Sequence, residues 1–256
     1  MSRERKRVLI TGAGSGIGRA LAVEAAQRGM IVALCGRRAA ALEATRALLN
    51  EPDRHFAIAA DITDAGDRRR IVGMIEERWS ALDVLINNAG VMEGGVIERV
   101  DDTAMIKTFM TNVIAPMALT RDLMPLLAAA RPSRVVNVGS VFGDIAYPGL
   151  TAYSASKFAL RGFSSGLRRE WRRAGIDVTY AAPRATQTAA IAALAEFIDP
   201  SGGVDAPVVV ARRIWRAVAR GRESVYAPGL ERIYVLIQRL FPQIIDRALS
   251  RRSPSH

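Results

Sequence analysis

The chain has 256 residues, half of them apolar, and 36 Lys and Arg against 25 Asp and Glu. The net charge of +11 does not by itself indicate nucleic-acid binding, because acids are interspersed with the arginines and no basic stretch is interleaved with aromatic residues. A positive charge of this size favours anionic ligands such as a phosphorylated cofactor, or acidic lipid surfaces. A single cysteine, Cys35, excludes an intrachain disulfide, and the first apolar run is too short for a signal-peptide core or a membrane span, so we expect a cytoplasmic protein.

Apolar, β-branched runs alternate with amphipathic stretches along the chain. Strands are predicted at 8–11, 31–36, 56–61, 83–88, 134–140, 176–182 and 224–228. Helices are predicted near 17–28, 39–50, 64–79, 102–130, 153–174 and 206–220. This alternation predicts parallel strand–helix–strand units, and the almost continuously apolar strands indicate a sheet covered on both faces. Since no Pro-, Gly- or Ser-rich linker divides the chain, we expect one doubly wound α/β domain over 1–256 with a basic tail at 1–6.

The turn between the first strand and the first helix reads TGAGSGIG, residues 11–18. Its glycines permit a tight turn, close approach of a phosphate to the backbone, and close packing of the helix on the strand. The amide groups at the helix start then face a pyrophosphate, and the strand–turn–helix context favours a dinucleotide site over an ordinary glycine turn. The residues expected to contact the cofactor here are Gly12, Gly14, Ser15, Gly16, Ile17 and Gly18.

The end of the second strand indicates which dinucleotide binds. About 20 residues after such a turn, a carboxylate normally accepts hydrogen bonds from the adenosine ribose of NAD. Here the strand ends in CGRR, with Gly36 where an acid is expected, followed by Arg37 and Arg38. A guanidinium group suits a phosphate dianion, so the sequence predicts that NADP(H) is preferred over NAD(H). The alternative is that both arginines are solvated surface charges.

The stretch AYSASKFAL, residues 152–160, places Tyr153 and Lys157 four residues apart, on the same face of a helix. A phenol with a pKa of about 10 is a poor base alone, but a nearby ammonium and the positive nicotinamide ring of an oxidised cofactor both favour the phenolate. The pair would then exchange a proton with an alcohol or ketone oxygen while a hydride passes to or from the cofactor. Ser140 closes the fifth predicted strand, at the sheet edge where its hydroxyl would hold the reacting oxygen.

Five sequence elements, taken in order, resemble the short-chain dehydrogenase/reductase family. TGAGSGIG is similar to TGxxxGxG, and NNAG at 87–90 is similar to the strand-four motif. Asn112 in FMTNVIAP matches the helix asparagine, and Ser140 with YSASK matches the Ser and YxxxK elements. The resemblance covers nearly all of the chain. It implies a single Rossmann-like, doubly wound α/β domain with about seven parallel strands in the order 3-2-1-4-5-6-7 and helices on both faces.

The resemblance also implies a catalytic tetrad of Asn112, Ser140, Tyr153 and Lys157. In the family the tyrosine is the acid/base, and the serine positions the substrate oxygen. The lysine binds the nicotinamide ribose and lowers the tyrosine pKa, while the asparagine carbonyl anchors a water in the proton relay. Asp61 should contact the adenine amine. The other cofactor contacts implied are Ile62, Asn88, Ala89, Gly90, Pro183, Thr186 and Thr188.

These residues also have ordinary structural interpretations. Asp61 could cap the helix that begins after Thr63, and Asn88 could close a turn. Asn112 could be satisfied within its own helix, and Tyr153 could be a packing residue.

The segment after the sixth predicted strand departs from the family pattern. The family has Pro-Gly there, whereas APRATQTAA places Arg184 in the glycine position and Thr188 where a threonine belongs, with Thr186 as a competitor for the carboxamide. Arg184 could reach the pyrophosphate or an acidic substrate group, or point to solvent. Residues 185–205 are predicted to form a mobile flap over an uncharged or lipid-like substrate, although their Ala-rich face could instead be core. Candidate pocket residues are Met92, Phe142, Ile145, Tyr147 and Phe197.

The C-terminal stretch 229–251 is predicted to be an amphipathic helical extension with a basic ending. Its apolar residues at helical spacing are Leu230, Ile233, Tyr234, Ile237, Leu240 and Phe241, with Glu231, Arg232, Gln238 and Arg239 on other faces. Pro242 breaks or restarts the helix, and the apolar side continues at Ile244, Ile245, Ala248 and Leu249. Three interpretations remain open: packing over its own domain, a dimer surface, or a patch lying on a membrane.

The sequence therefore predicts an NADP(H)-dependent oxidoreductase that transfers a hydride between the nicotinamide and a carbonyl or secondary alcohol, in the reductive direction. Tyr153 is the expected general acid/base, and no metal is expected. We expect a homodimer or homotetramer that acts on a small molecule and binds no nucleic acid. The alternative is a non-catalytic NADP(H)-sensing protein on the same fold, because a fold does not guarantee its chemistry.

Overall fold

The computed structural model describes residues 5–188 and 203–250. Seven parallel strands form one sheet in the order β3-β2-β1-β4-β5-β6-β7, which confirms the predicted topology. The strands are β1 (Arg7–Thr11), β2 (Ile31–Gly36), β3 (Phe56–Ala59), β4 (Val84–Asn87), β5 (Ser133–Val138), β6 (Ile176–Ala182) and β7 (Ser224–Tyr226).

Helices follow the strands in an alternating order. They are α1 (Gly16–Gln27), α2 (Ala39–Arg46), α3 (Ala65–Trp79), α4 (Asp102–Phe109), α5 (Ala115–Asp122), α6 (Met124–Ala129), α7 (Thr151–Trp171), α8 (Pro207–Ala219), α9 (Glu231–Leu240) and α10 (Pro242–Ser250). Across residues 5–188 and 203–250, none of them is long and apolar enough to cross a bilayer. The same residues contain no group of His, Cys, Asp and Glu side chains that could hold a metal ion.

Apolar side chains pack on both faces of the sheet. On one face, Leu21 of α1 and Trp215 of α8 pack over Val8 and Ile10, and the Trp215 indole Nε1 donates to the carbonyl oxygen of Leu21 at 3.0 Å. On the other face, Leu9 lies in a second cluster with side chains of α3, α5 and α7. Because successive residues of a strand point to opposite faces, two cores explain why these strands are apolar at nearly every position.

The single long helix predicted over 102–130 is wrong, because the structure divides it into three. Between α4 and α5 lies a π-helical turn, Met110–Ile114, and α5 and α6 each carry a proline in the first turn, Pro116 and Pro125. Proline has no N–H, so Pro116 cannot donate to the carbonyl of Asn112 four residues earlier, as an α-helix would require. Single π turns inside helices are frequent at functional sites.

The C-terminal extension forms two helices, and Pro242 restarts the chain as α10, as the sequence predicts. Val235 and Ile245 are buried with Ile145, so part of the extension packs over its own domain. The predicted apolar stripe is divided: Ile237, Ile245 and Leu249 pack in this cluster, whereas Leu230 and Leu240 are more than half exposed. Only part of the stripe therefore faces away from the sheet.

Candidate active site

A cavity of about 400 Å³ lies at the carboxyl ends of the strands. The strand order reverses at this edge, since β1 lies between β2 and β4, and ligands of doubly wound sheets bind at such a switch point. Except for Gly18, every residue predicted to contact the cofactor lines this cavity, and Ser140 lines it too. The structure thus brings together residues that are up to 176 positions apart, from Gly12 to Thr188.

The glycine-rich turn forms one wall of the cavity. Gly12 and Gly16 adopt φ angles of 66° and 51°, in the left-handed region that favours glycine. A Cβ at Gly18 would lie 2.1 Å from the carbonyl oxygen of Gly12, so Gly18 permits packing of α1 against the turn rather than contact with a ligand. A Cβ at Gly16 would meet Thr188 Cγ2 at 3.0 Å, which places Thr188 beside the turn.

Hydrogen bonds from the side chains of Thr11 and Asn88 hold the turn to the loop after β4, and Arg19 of α1 supports the turn from its other side. Thr11 Oγ1 accepts from the backbone N–H groups of Asn88 and Ala89, both at 3.0 Å. Asn88 Nδ2 donates to the Thr11 carbonyl at 3.0 Å, and Arg19 Nη2 donates to the Gly14 carbonyl at 2.7 Å. Sequence analysis missed the roles of Thr11 and Arg19, although the threonine opens the motif that it stabilises.

Two exposed arginines stand at the far side of the cavity. Arg37 and Arg38 line it at the end of β2, and no carboxylate among the described residues forms an ion pair with either. Guanidinium groups without a carboxylate partner among these residues, at the wall of a cavity, fit a phosphate. Gly36, which precedes them, leaves no acid at the position that would bind a ribose of NAD.

Asp61 also lies on the cavity wall, and it does not cap a helix. Its Oδ1 accepts from the Thr63 backbone N–H at 2.9 Å and from the Thr63 hydroxyl at 2.8 Å. The helix cap of α3 is Asp64, whose carboxylate accepts from the Asp67 N–H at 2.7 Å. The alternative interpretation of Asp61 as a helix cap is therefore wrong.

Tyr153 and Lys157 lie on α7 with both side chains buried against the cavity. The Lys157 Nζ stands 5.6 Å from the centre of the Tyr153 ring and donates to the Val138 carbonyl at 3.2 Å. Burial raises the pKa of Tyr153 to about 12, and a hydrogen bond with Ser140 opposes this rise. Burial also lowers the pKa of Lys157 to about 8. Burial is therefore the largest influence on the pKa of Tyr153, and the expected lowering of this pKa by Lys157 stays a prediction.

The low pKa of Lys157 predicts how a substitution changes stability. Its pKa in the folded protein is about 8 against an ordinary 10.5, so between these pH values the unfolded chain binds more protons and stability rises with pH. Lys157→Met removes the cost of the buried charge. We expect it to raise the free energy of unfolding at pH 7 by on the order of 1–2 kcal/mol, after allowing for the lost bond to Val138.

The gain should disappear as the pH approaches 10.5, where the unfolded lysine also loses its proton. Denaturant titrations of wild type and variant across this range measure the difference, with the exposed Lys6→Met as the control. An Lys157→Met protein that is less stable at pH 7, or whose advantage does not shrink with pH, would contradict the assignment.

Ser140 follows β5 and is held by Tyr180, a residue that sequence analysis missed. The Tyr180 hydroxyl donates to the Ser140 carbonyl at 3.1 Å, and Ser140 Oγ accepts from the Phe142 N–H at 3.1 Å. A Cβ at Gly139 would lie 2.3 Å from the Tyr180 ring, so the tyrosine packs directly on this turn. The available signal was a phenol in the buried strand IDVTYAA, since a buried tyrosine hydroxyl usually requires a partner.

Asn112 lies in the π-helical turn, is buried, and does not line the cavity. Its Oδ1 accepts from the Val91 N–H at 2.8 Å, and its Nδ2 donates to the Val91 carbonyl at 2.9 Å and to Ser156 Oγ at 3.0 Å. The side chain is therefore satisfied by the loop after β4 and by α7, not within its own helix. Asn112 thereby holds the segment around Gly90 beside Lys157. Gly90 lies close to both side chains, because a Cβ there would meet Asn112 Oδ1 and Lys157 Nζ.

Arg184 has acidic partners within its own chain, which the sequence did not indicate. Its guanidinium forms ion pairs with Asp205 at 2.8 Å and with Glu231 at 3.0 Å. The hydrogen bonds that Arg184 donates to these two carboxylates raise its pKa. The residue lines the cavity, and its charge is shared with two acids of its own chain.

Comparison with known proteins identifies the family. A family model described as short chain dehydrogenase matches residues 6–198. The chain belongs to the short-chain dehydrogenase/reductase family. It is 31% identical to dehydrogenase/reductase SDR family member 7B of Bos taurus, over 96% of this chain and 81% of the relative.

Two solved structures of the family superimpose closely. A short-chain dehydrogenase from Streptomyces avermitilis is 30% identical with a TM-score of 0.83, over 96% of each chain. A variant of actinorhodin polyketide ketoreductase, solved with NADPH, is 25% identical with a TM-score of 0.82, over 89% of this chain and 97% of its own. The chain is thus an oxidoreductase of a family whose members bind a nicotinamide cofactor.

In this short-chain dehydrogenase/reductase, a small apolar cluster surrounds Tyr153. Met92, Phe142 and Tyr147 pack against it, and the rings of Phe142 and Tyr147 are 5.2 Å apart. Ile145 lies instead in the cluster beneath the C-terminal helices, so it is not a pocket residue. Phe197, and residues 189–202 of the predicted flap, lie outside the described residues.

Proposed function

We propose that this protein is an NADPH-dependent carbonyl reductase in which Tyr153 donates the proton. The observation that carries the proposal is that one cavity is lined by the glycine-rich turn, by Arg37 and Arg38, and by Tyr153, Ser140 and Lys157. When bound, NADPH supplies the hydride. The cavity fits such a cofactor, because a left-handed glycine turn faces it and guanidinium groups stand where a phosphate would be held.

The high pKa of Tyr153 is compatible with the proton-donor role that carbonyl reduction requires. At about 12 it keeps the phenol protonated across the physiological range, so the hydroxyl can donate to a carbonyl oxygen. Ser140, which shares a hydrogen bond with Tyr153, is placed to donate a hydrogen bond to the same carbonyl oxygen, while the proton itself comes from Tyr153. Lys157 is largely protonated at neutral pH, since its pKa is about 8, and its charge stabilises the phenolate that remains.

The side chains around Tyr153 support an uncharged, apolar substrate. Met92, Phe142 and Tyr147 offer no positive charge to a carboxylate, and Arg184 is engaged with Asp205 and Glu231. We therefore propose that ketones with bulky apolar substituents are preferred over keto acids.

Oxidation of NADPH with a panel of ketones, aldehydes and keto acids tests this function. We expect turnover with apolar ketones and at least about tenfold lower kcat/KM with keto acids of the same size, because an unpaired carboxylate loses its hydration in an apolar pocket. The competing hypothesis, a cofactor-sensing protein without catalysis, predicts calorimetric binding of NADPH but no oxidation with any member of the panel.

Exposed apolar side chains on neighbouring helices support a homodimer. Ile106, Ile114, Met117 and Phe158 are 38–62% exposed on α4, the π turn, α5 and α7. We propose that a second copy covers this face. Sedimentation should give a dimer for wild type and a monomer for Met117→Glu with Phe158→Glu; a monomeric wild type would refute the proposal.

A further inference from the structure

The face of helix α9 that contacts the domain carries two charged side chains on either side of one buried valine. Glu231, Val235 and Arg239 lie on one face, four residues apart, and this face is turned inward. Glu231 pairs with Arg184 at 3.0 Å, and Arg239 pairs with the buried Asp144 at 3.1 Å. An amphipathic helix normally buries its apolar stripe, whereas Ile233, Leu236 and Leu240 of α9 remain exposed, which needs an explanation.

The outward face of the C-terminal helices is apolar. Its side chains are 52–61% exposed and consist of Leu230, Ile233, Leu236, Leu240, Phe241 and Ile244. Single exposed apolar residues are ordinary, but a contiguous set on two consecutive helices marks an interaction surface.

An arginine-lined groove of about 960 Å³ runs beside this face, between α8, β7 and α9. Ile233 and Leu236 line it, so the groove and the apolar face are continuous. No acidic residue lines the groove. Four of its arginines are exposed and form no ion pair within residues 5–188 and 203–250; they are Arg216, Arg220, Arg222 and Arg232. Like charges gathered without counter-charges favour a ligand that carries several negative groups.

We propose that the arginine groove and the outward face of α9 and α10 together form a docking surface for an anionic lipid bilayer. The guanidinium groups bind headgroup phosphates, and the apolar side chains enter the boundary between headgroups and acyl chains. A free phosphate would leave the apolar side chains in water. A second copy related by two-fold symmetry would bring the arginines towards one another.

Co-sedimentation of the full chain with vesicles tests the surface. We compare phosphatidylcholine vesicles containing phosphatidylglycerol with vesicles of phosphatidylcholine alone. Binding to the anionic vesicles should be at least about tenfold tighter, and salt should weaken it. Equal binding to both vesicle types, or binding to neither, overturns the proposal.

A fourfold variant tests the arginines, using Arg216→Gln, Arg220→Gln, Arg222→Gln and Arg232→Gln. Its affinity for anionic vesicles should fall on the order of 100-fold. The matched control removes the same charge from exposed positions outside the groove, with Arg69→Gln, Arg99→Gln, Arg172→Gln and Arg173→Gln. If the control loses as much affinity as the groove variant, binding reports net charge alone and the proposal fails.

The apolar face has its own variant, Leu236→Gln with Leu240→Gln, which should lose the binding that persists at high salt. Groove-dependent self-association without vesicles would assign the face to a second copy. Capture of polyglutamate but not of vesicles would assign it to an acidic protein, and either result refutes the proposal. NADPH oxidation by the same variants should be unchanged, so failure of the catalytic assignment and failure of docking are distinguishable.

Discussion

Replacing Tyr153 with phenylalanine is expected to lower ketone turnover about 10³-fold, because the ring remains while the only proposed proton donor is lost. The neighbouring geometry supports a selective effect. The Tyr153 ring is buried against Met92, Phe142 and Tyr147, and phenylalanine preserves this packing. The affinity for NADPH should stay within about twofold, as Arg37, Arg38 and the glycine-rich turn are untouched.

The matched control is Tyr234→Phe, which removes a phenol that is 45% exposed on α9. It should leave kcat and KM unchanged. Single-turnover measurements with saturating NADPH separate chemistry from binding. If Tyr153→Phe retained a tenth or more of the wild-type rate, another group would be the proton donor and the proposed mechanism would be refuted.

The double variant Arg37→Ala with Arg38→Ala should raise KM for NADPH about 100-fold and leave KM for NADH nearly unchanged. Each hydrogen bond between a guanidinium and a phosphate contributes about 1.5–3 kcal/mol, and the adenosine phosphate is the only difference between the two cofactors. Both arginines line the cavity without a carboxylate partner in the described part of the chain.

The chain offers a matched control, because it contains a second pair of adjacent arginines outside the cavity. Arg172 and Arg173 are exposed at the end of α7 and do not line the cavity. Their double alanine variant loses the same net charge, so it measures the general effect of the protein's field on an anionic cofactor. If both double variants raised KM for NADPH equally, or if wild type used NADH as efficiently as NADPH, the proposed cofactor preference would be wrong.

The sheet was predictable from the sequence because the central strands β1, β2 and β4 are buried on both faces and are therefore largely apolar. The proposed site was accessible as well, since the spacing of Tyr153 and Lys157 and the glycine-rich turn are local signals. The broken helix over 102–130 could have been foreseen from Pro116 and Pro125, whose missing N–H groups interrupt the hydrogen-bond pattern.

Long-range partners were not accessible in the same way. Periodicity predicts that α9 has an apolar side but not which side the domain occupies, because that depends on Arg184 and Asp144, which lie far away in the sequence. The partners of Asn112 and the contact of Tyr180 with Ser140 likewise join separate elements. The pKa of Tyr153 depends on how completely the fold removes it from water, which spacing alone does not reveal.

The ion pairs of Arg184 have a mechanical consequence. This residue borders the cofactor cavity, and its two carboxylate partners belong to the segment before α8 and to the first turn of α9. Arg184 therefore connects the last helices directly to the wall of this cavity. If an occupant that shifts α9 changes dinucleotide affinity through this connection, then by linkage the dinucleotide changes the affinity of that occupant by the same factor.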